Sequence, residues 1–320
     1  MSATALALIL VAAVAHATWN LFSKQASVTG ASSFVWLMSL TATALYAPVV
    51  LIAVLIDPPR LTGLCWVFMI GTGLLQAGYF LFLQSGYRLG DLSLVYPVGR
   101  GSGALLAALA GIVLLGEHPG AAGLAGIGLV IAGVLLLGAP AGTGRSAASS
   151  AARSADRGPG APGVVPRASR AGGRPPGPAQ APRALAFALV TGMFIASYTL
   201  WDKYAVSPLK VPPLVQGYAA MPVMALVLAP FALRQRARTA LVWRAYRRQV
   251  AGAAVLAPLA YILVLVALSF TAVSAVAPAR EVSVLAGVLL GRRLLGEGQL
   301  ARRLAAAAAI AAGIICIAVG

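Results

Sequence analysis

Ten stretches of nearly unbroken apolar sequence alternate with short polar ones along this chain. Five lie at 5–23, 34–56, 64–87, 92–115 and 121–137, and five more at 184–201, 214–233, 251–270, 273–290 and 304–319. Crossing a bilayer as a helix takes about 20 apolar residues. The short alternating strands that a membrane barrel needs do not occur. The pattern therefore predicts an all-α, polytopic membrane protein with ten transmembrane helices. Between the fives, residues 139–183 are mainly Ala, Gly, Pro, Ser and Arg. Such a segment buries too little apolar surface to order itself and reads as a disordered linker. The chain divides into a first five-helix unit, 1–138, the linker, 139–183, and a second five-helix unit, 184–320.

The two units repeat each other. Ser93 to Glu117 reads SLVYPVGRGSGALLAALAGIVLLGE, and Ser274 to Glu297 reads SAVAPAREVSVLAGVLLGRRLLGE. Both reach Pro four residues after Ser, place a charge soon after it, and end on Leu-Gly-Glu. The first span closes as HATWNLFSK and the sixth as SYTLWDKYA, with Trp19 and Tyr198 each five residues before a lysine, Lys24 or Lys203. An odd number of spans per copy inserts the second copy upside down. Inverted repeats are a recurring plan of secondary transporters, with the substrate site near mid-membrane where the repeats meet.

Composition agrees: the chain is 60% hydrophobic and only 10% charged, against roughly a quarter charged in soluble domains. The net charge of +17 does not point to nucleic acid, because no recognition module accompanies it. Of the 24 Lys and Arg, Arg60, Lys203 and Lys210 lie in even-numbered loops and Arg100 and Arg280 inside spans; the rest, including the basic loop 234–248, lie in odd-numbered loops. That asymmetry puts the linker side in the cytoplasm and the termini outside, with the basic loops against anionic lipid. The N-terminal apolar run lacks the preceding basic residue of a secretory leader and reads as a retained first helix. Cys65 and Cys316 form no disulfide framework or metal motif, and nothing in the sequence calls for a metal or cofactor.

Charge inside an apolar span is costly, so Arg100, Arg280 and Glu281 need partners, water or a solute: an isolated mid-bilayer Arg costs roughly 2.5–3.5 kcal/mol. One residue is missing between Pro and Glu in the second copy. Counted back from Glu, Arg100 matches Arg280; counted forward from Pro, it matches Glu281 and the two face the repeat axis as candidate partners. On the first span His16, Asn20 and Lys24 share one helix face, with Trp19 beside them. Arg100 and Arg280, with Lys24 and Lys203 nearer the mouths, would attract carboxylate or phosphonate groups. Trp19 and Tyr198 would supply the walls. Glu281, His16 and Asp202 are the candidate proton-coupling groups. Glu117 and Glu297, at helix ends beside Gly, read as capping or interhelical residues outside the site.

The ten spans, the duplication, the Pro followed by Leu-Gly-Glu, and the HATWN and SYTLWDK ends together resemble the drug/metabolite transporter superfamily, in its EamA-like ten-helix branch. The resemblance covers nearly the whole chain except the linker. It implies a central cavity lined by the first, third, fourth, sixth, eighth and ninth spans, export or exchange of small metabolites, and termini drawn in the cytoplasm, against the charge count. The membrane-embedded Glu in the first helix of small multidrug members is absent here. The expected function is secondary transport, as an exporter or exchanger, of a small anionic or zwitterionic metabolite by alternating access. The expected location is the plasma membrane, with the metabolite and membrane lipid as partners. Two other classes are a non-transporting membrane scaffold and a lipid-modifying membrane enzyme. The enzyme is disfavoured because the seven acidic residues are scattered singly, whereas such chemistry needs paired carboxylates or metal ligands.

Overall fold

The computed structural model describes residues 1–89, 92–138, 181–283 and 300–319. Most of the predicted linker, the distal part of the ninth span and Glu297 lie outside them. Among the described residues the fold is all-helical: α1 (Ala3–Ile56), α2 (Gly63–Leu89), α3 (Leu92–Leu114), α4 (Ala121–Gly138), α5 (Ala181–Val206), α6 (Pro213–Arg234), α7 (Arg236–Phe270), α8 (Val273–Ala279) and α9 (Leu300–Val319). Six segments are long and apolar enough to cross a membrane, and three shorter apolar helices, Val98–Leu114, Ala121–Leu136 and Ala308–Val319, accompany them. The chain is a multi-pass membrane protein.

Two boundaries differ from the sequence reading. The first and second spans are continuous in α1, and helical geometry breaks only at Gly30, which is extended at φ 169° and ψ 91°. The stretch 234–248, predicted as a loop from its charge, is helical from Arg236, with a kink at Tyr246 (φ −127°, ψ 22°). Ala, Leu and Arg are good helix formers, and the segment has a surface to pack on. Val242 is buried with Phe34 and Val35, and the Thr239 and Ser33 hydroxyls are 2.9 Å apart. A Cβ on Gly30 would lie 3.3 Å from Arg238 Cδ and 3.4 Å from Val242 Cγ2, so α7 packs closely against the break in α1.

The helix pairing respects the duplication. The two limbs of α1 lie along α7, as their counterparts α5 and α6 lie along α2. The fifth and tenth spans, α4 and α9, pack on each other through Ile127, Val130, Val134, Ile310, Ile314 and Ile317. Two of their close approaches are reciprocal. A Cβ on Gly133 would lie 2.7 Å from Ile310 Cγ1 and 2.9 Å from the Ala306 carbonyl, and one on Gly313 would lie 2.8 Å from Val130 Cγ2 and 2.7 Å from the Gly126 carbonyl. Gly133 and Gly313, Val130 and Ile310, and Gly126 and Ala306 are each 180 residues apart. Each glycine thus meets the counterparts of the residues that the other meets, which is the signature of a two-fold contact. The early residue of one helix meets the late residue of the other, so α4 and α9 run antiparallel. A dyad that relates antiparallel membrane helices lies in the membrane plane, and the two five-helix repeats are inverted.

Small residues also bring α3 onto α5. Gly99 and Gly103 have the four-residue spacing of close helix packing. A Cβ on Gly103 would lie 2.7 Å from Ile195 Cβ, and one on Gly99 would lie 3.2 Å from the Ala188 carbonyl. Gly192 lies on the facing side of α5, where a Cβ would stand 3.0 Å from the Gly103 amide nitrogen. This seam fixes the position of Arg100, one residue past Gly99.

Candidate functional site

A cavity opens where the repeats meet, with walls from α1, α2, α3, α5, α6, α7 and the turn after α8. It draws on more of the chain than the resemblance implies, because Val35 and Met38 of the second α1 limb and Met221 and Met224 of α6 also line it. Most of the wall is aromatic or aliphatic, including Tyr79 and Phe80 of α2. The polar groups are few and converge: His16 and Trp19 from α1, Gln76 from α2, Arg100 from α3, Tyr198 from α5, Tyr261 from α7, and Arg280 and Ser283 after α8. An apolar pocket with a small set of oriented polar groups is the usual form of a small-molecule site.

The two arginines are held differently. Arg100 is 4% exposed and forms a two-pronged pair with Glu281, Nε to Oε2 at 3.2 Å and Nη2 to Oε1 at 2.9 Å. Such paired bonds fix the plane of the guanidinium as well as its charge. Glu281 stands behind Arg100, buried and away from the cavity wall. Arg280 is partly buried and meets hydroxyls instead: Nη1 lies 3.5 Å from Thr199 Oγ1 and Nη2 lies 3.4 Å from the Tyr198 hydroxyl. Its guanidinium carbon stands 5.8 Å from the centre of the Tyr198 ring. Among the described residues no carboxylate lies within ion-pair distance of Arg280. The backbone turns at Pro278–Glu281, where the Glu281 amide bonds to the Pro278 carbonyl at 2.9 Å. The turn sends the adjacent Arg280 and Glu281 to different partners.

His16 and Trp19 form a unit on one face of α1. Trp19 Nε1 donates to His16 Nδ1 at 3.2 Å, and the rings meet edge to face at 5.3 Å. Asn20, on the same face, turns its amide to the His16 carbonyl at 2.9 Å.

Asp202 lies one layer out, 1% exposed and not on the cavity wall. Its Oδ1 accepts from Thr72 Oγ1 at 2.6 Å and from Gln216 Nε2 at 3.1 Å, and its Oδ2 accepts from the Tyr261 hydroxyl. Among the described residues, Asp202 is satisfied by donors from α2, α6 and α7 and has no cation within ion-pair distance.

Of the residues singled out from the sequence, the structure brings Arg100, Arg280, Trp19, Tyr198 and His16 together on one wall, with Glu281 and Asp202 each behind a lining residue. Lys203 stands apart. Its Nζ donates to the carbonyls of Leu268 at 2.9 Å and Thr271 at 3.0 Å, so it caps the C-terminus of α7, where a cation meets the negative end of the helix. The Lys24 side chain lies outside the described residues. Glu117 has the capping role expected of it: Oε1 accepts from the Val273 amide at 2.6 Å and Oε2 from the Ser274 amide at 2.7 Å. It thereby ties the end of α3 to the start of α8. Tyr261, Thr72, Gln216 and the methionines were not selected from the sequence. Each is a single residue within an apolar run, and the one signal for the first three was that Asp202 must find donors.

Comparison with known proteins agrees with this architecture. One crystal structure of a protein, 20% identical, aligns over 99% of this chain and 96% of its own with a TM-score of 0.66, a likeness that speaks for the fold alone. A comparison with curated proteins finds no match. The family model described as "EamA-like transporter family" matches twice, over residues 3–139 and 182–319. Those two matches fall on the two repeats, and the chain belongs to the EamA-like transporter family.

Proposed function

We propose that this transporter is a secondary exporter or exchanger of a small organic anion or zwitterion, working by alternating access in the plasma membrane. The observation that carries the reading is the contrast between its two cavity arginines. Arg100 is matched by Glu281, while Arg280 offers its fork to the cavity with only hydroxyls beside it among the described residues. A planar guanidinium in an apolar site favours a ligand that brings a negative charge and two oxygens. Trp19, Tyr79, Phe80, Tyr198 and the methionines would cover the apolar body of the solute.

The repeats, 1–138 and 184–320 about the linker 139–183, would rock around this site with the linker side in the cytoplasm. The Arg100–Glu281 pair would lie at the centre of such a motion, and Glu281, His16 and Asp202 are the candidate groups to couple it to a proton. Lys24, one turn beyond Asn20, would draw anions to the mouth.

The test is binding of two probes with one apolar body and opposite charge, phenylacetate and phenethylamine, to the purified full-length protein. Phenylacetate should bind and phenethylamine should not, and Arg280→Ala should weaken phenylacetate at least tenfold. Equal binding of the two probes would refute the anion assignment.

A further inference from the structure

Asp202 does not reach the cavity, but a residue bonded to it does. Tyr261 lines the cavity and gives its hydroxyl proton to Asp202 Oδ2. The other carboxylate oxygen is occupied by Thr72 and Gln216. A carboxylate only accepts, and a phenol has one proton to give. While Asp202 is ionised, Tyr261 therefore turns a lone pair, and no proton, toward the cavity.

Adding a proton reverses this. Oδ2 is the oxygen that faces Tyr261, because Oδ1 already receives two donors. The new Oδ2–H bond points at the Tyr261 oxygen, which becomes the acceptor. Its own O–H is displaced and must turn to the cavity, where a carboxylate oxygen can receive it. No other bond is made or broken, and the proton comes from solvent.

We propose that Asp202 and Tyr261 form a proton-operated switch that makes one cavity wall an acceptor when Asp202 is charged and a donor when it is neutral. Resting on the anion reading above, this names the coupling: proton and anion bind together rather than in competition.

The charged and titratable neighbours favour the same linkage. Among the described residues, Tyr198 of α5 and Arg280 after α8 carry or can carry charge and line the cavity together with Tyr261. Thr72 of α2 and Gln216 of α6 do not ionise, and Lys203 on α5 is turned to the end of α7. His16 and Arg100 share the cavity lining with Arg280, Tyr79 lines it from α2, and Glu281 lies behind Arg100. An anion seated on Arg280 brings negative charge into the cavity that Tyr261 lines, so a neutral carboxyl at Asp202 is easier to hold than a second negative charge.

Two measurements on the full-length protein test the switch. The first is infrared pH-difference spectroscopy without any solute. The wild type should show a protonated carboxyl band and a tyrosine band that titrate with one midpoint. Asp202→Asn should lose both, and Tyr261→Phe should lose the tyrosine band and shift the carboxyl. The second is calorimetry with phenylacetate in buffers of different ionisation enthalpy. The wild type should take up close to one proton per phenylacetate bound, its affinity falling by at most about tenfold per unit rise in pH. Tyr261→Phe should bind with greatly reduced proton uptake, and Asp202→Asn with little uptake and a flat pH dependence. Wild-type proton uptake in both variants, or bands that titrate separately, would overturn the switch. Paired bands in a protein that binds no phenylacetate would instead remove the anion site, and the coupling with it.

Discussion

Arg100 and Glu281 are bonded to one another and are also each other's counterparts in the two repeats. They stand 181 residues apart, the offset that lays Ser93 on Ser274 and Pro97 on Pro278. Equivalent positions in two copies touch only at the axis that relates them, so this ion pair marks the dyad. The same axis passes between α4 and α9 at the reciprocal glycine contacts. A charge and its opposite at one repeat position also mean that the symmetry is broken where the cavity lies.

The pair should be far more sensitive to losing one member than both. Removing one partner of a buried pair costs about 3–5 kcal/mol, while replacing both with apolar residues is often neutral. Thermal unfolding in detergent should place Arg100→Met and Glu281→Leu well below the wild type, and the double variant close to it. Additive losses in the double variant would mean that the two side chains do not depend on each other.

The α4–α9 contact predicts equal penalties at two distant positions. Gly133→Leu and Gly313→Leu each drive a side chain into a backbone carbonyl and a branched side chain of the facing helix. Overpacking of this kind costs about 1–3 kcal/mol. Both variants should lower the unfolding temperature by similar amounts, and a large effect at only one of them would break the two-fold argument.

Glu117 predicts a loss of stability without a loss of recognition. Hydrogen bonds to a charged group contribute about 1.5–3 kcal/mol each, and Glu117 takes two from the start of α8. Glu117→Ala should destabilise the protein in detergent while leaving phenylacetate affinity unchanged, since Glu117 does not line the cavity. A change in affinity larger than the change in stability would place it in the site after all.

Lys203 offers a similar separation. Capping a helix C-terminus with a cation is worth about 0.3–1 kcal/mol near a surface. Lys203→Met should lower stability by that order and leave phenylacetate affinity as it is. A tenfold loss of affinity would restore the mouth role that its alignment with Lys24 suggested.

The parts of this account legible in the sequence are those that the duplication writes twice. The spans follow from hydrophobicity, and Arg100 and Glu281, which meet, each stand three residues past the shared Pro. Counting back from Leu-Gly-Glu gives Arg280 instead, and only coordinates choose between them. Asp202 falls opposite Ser23 in the repeat alignment, so symmetry carried no hint of its network. Its donors come from three helices far apart in sequence. Lys203 misled for the converse reason: its match to Lys24 suggested a shared task, but a long side chain finds the nearest unsatisfied carbonyls. The helical start of α7 was hidden because its charge suggests solvent, whereas it packs through Val242 on the apolar residues Phe34 and Val35.

Exchange of labelled phenylacetate across proteoliposomes loaded with unlabelled phenylacetate addresses the central claim most directly. Wild-type protein should accelerate the exchange over empty liposomes, and Arg280→Ala, reconstituted to the same level and still monodisperse, should return it to the background. Exchange at the wild-type rate in Arg280→Ala, or none in the wild type, would contradict an anion path through this cavity.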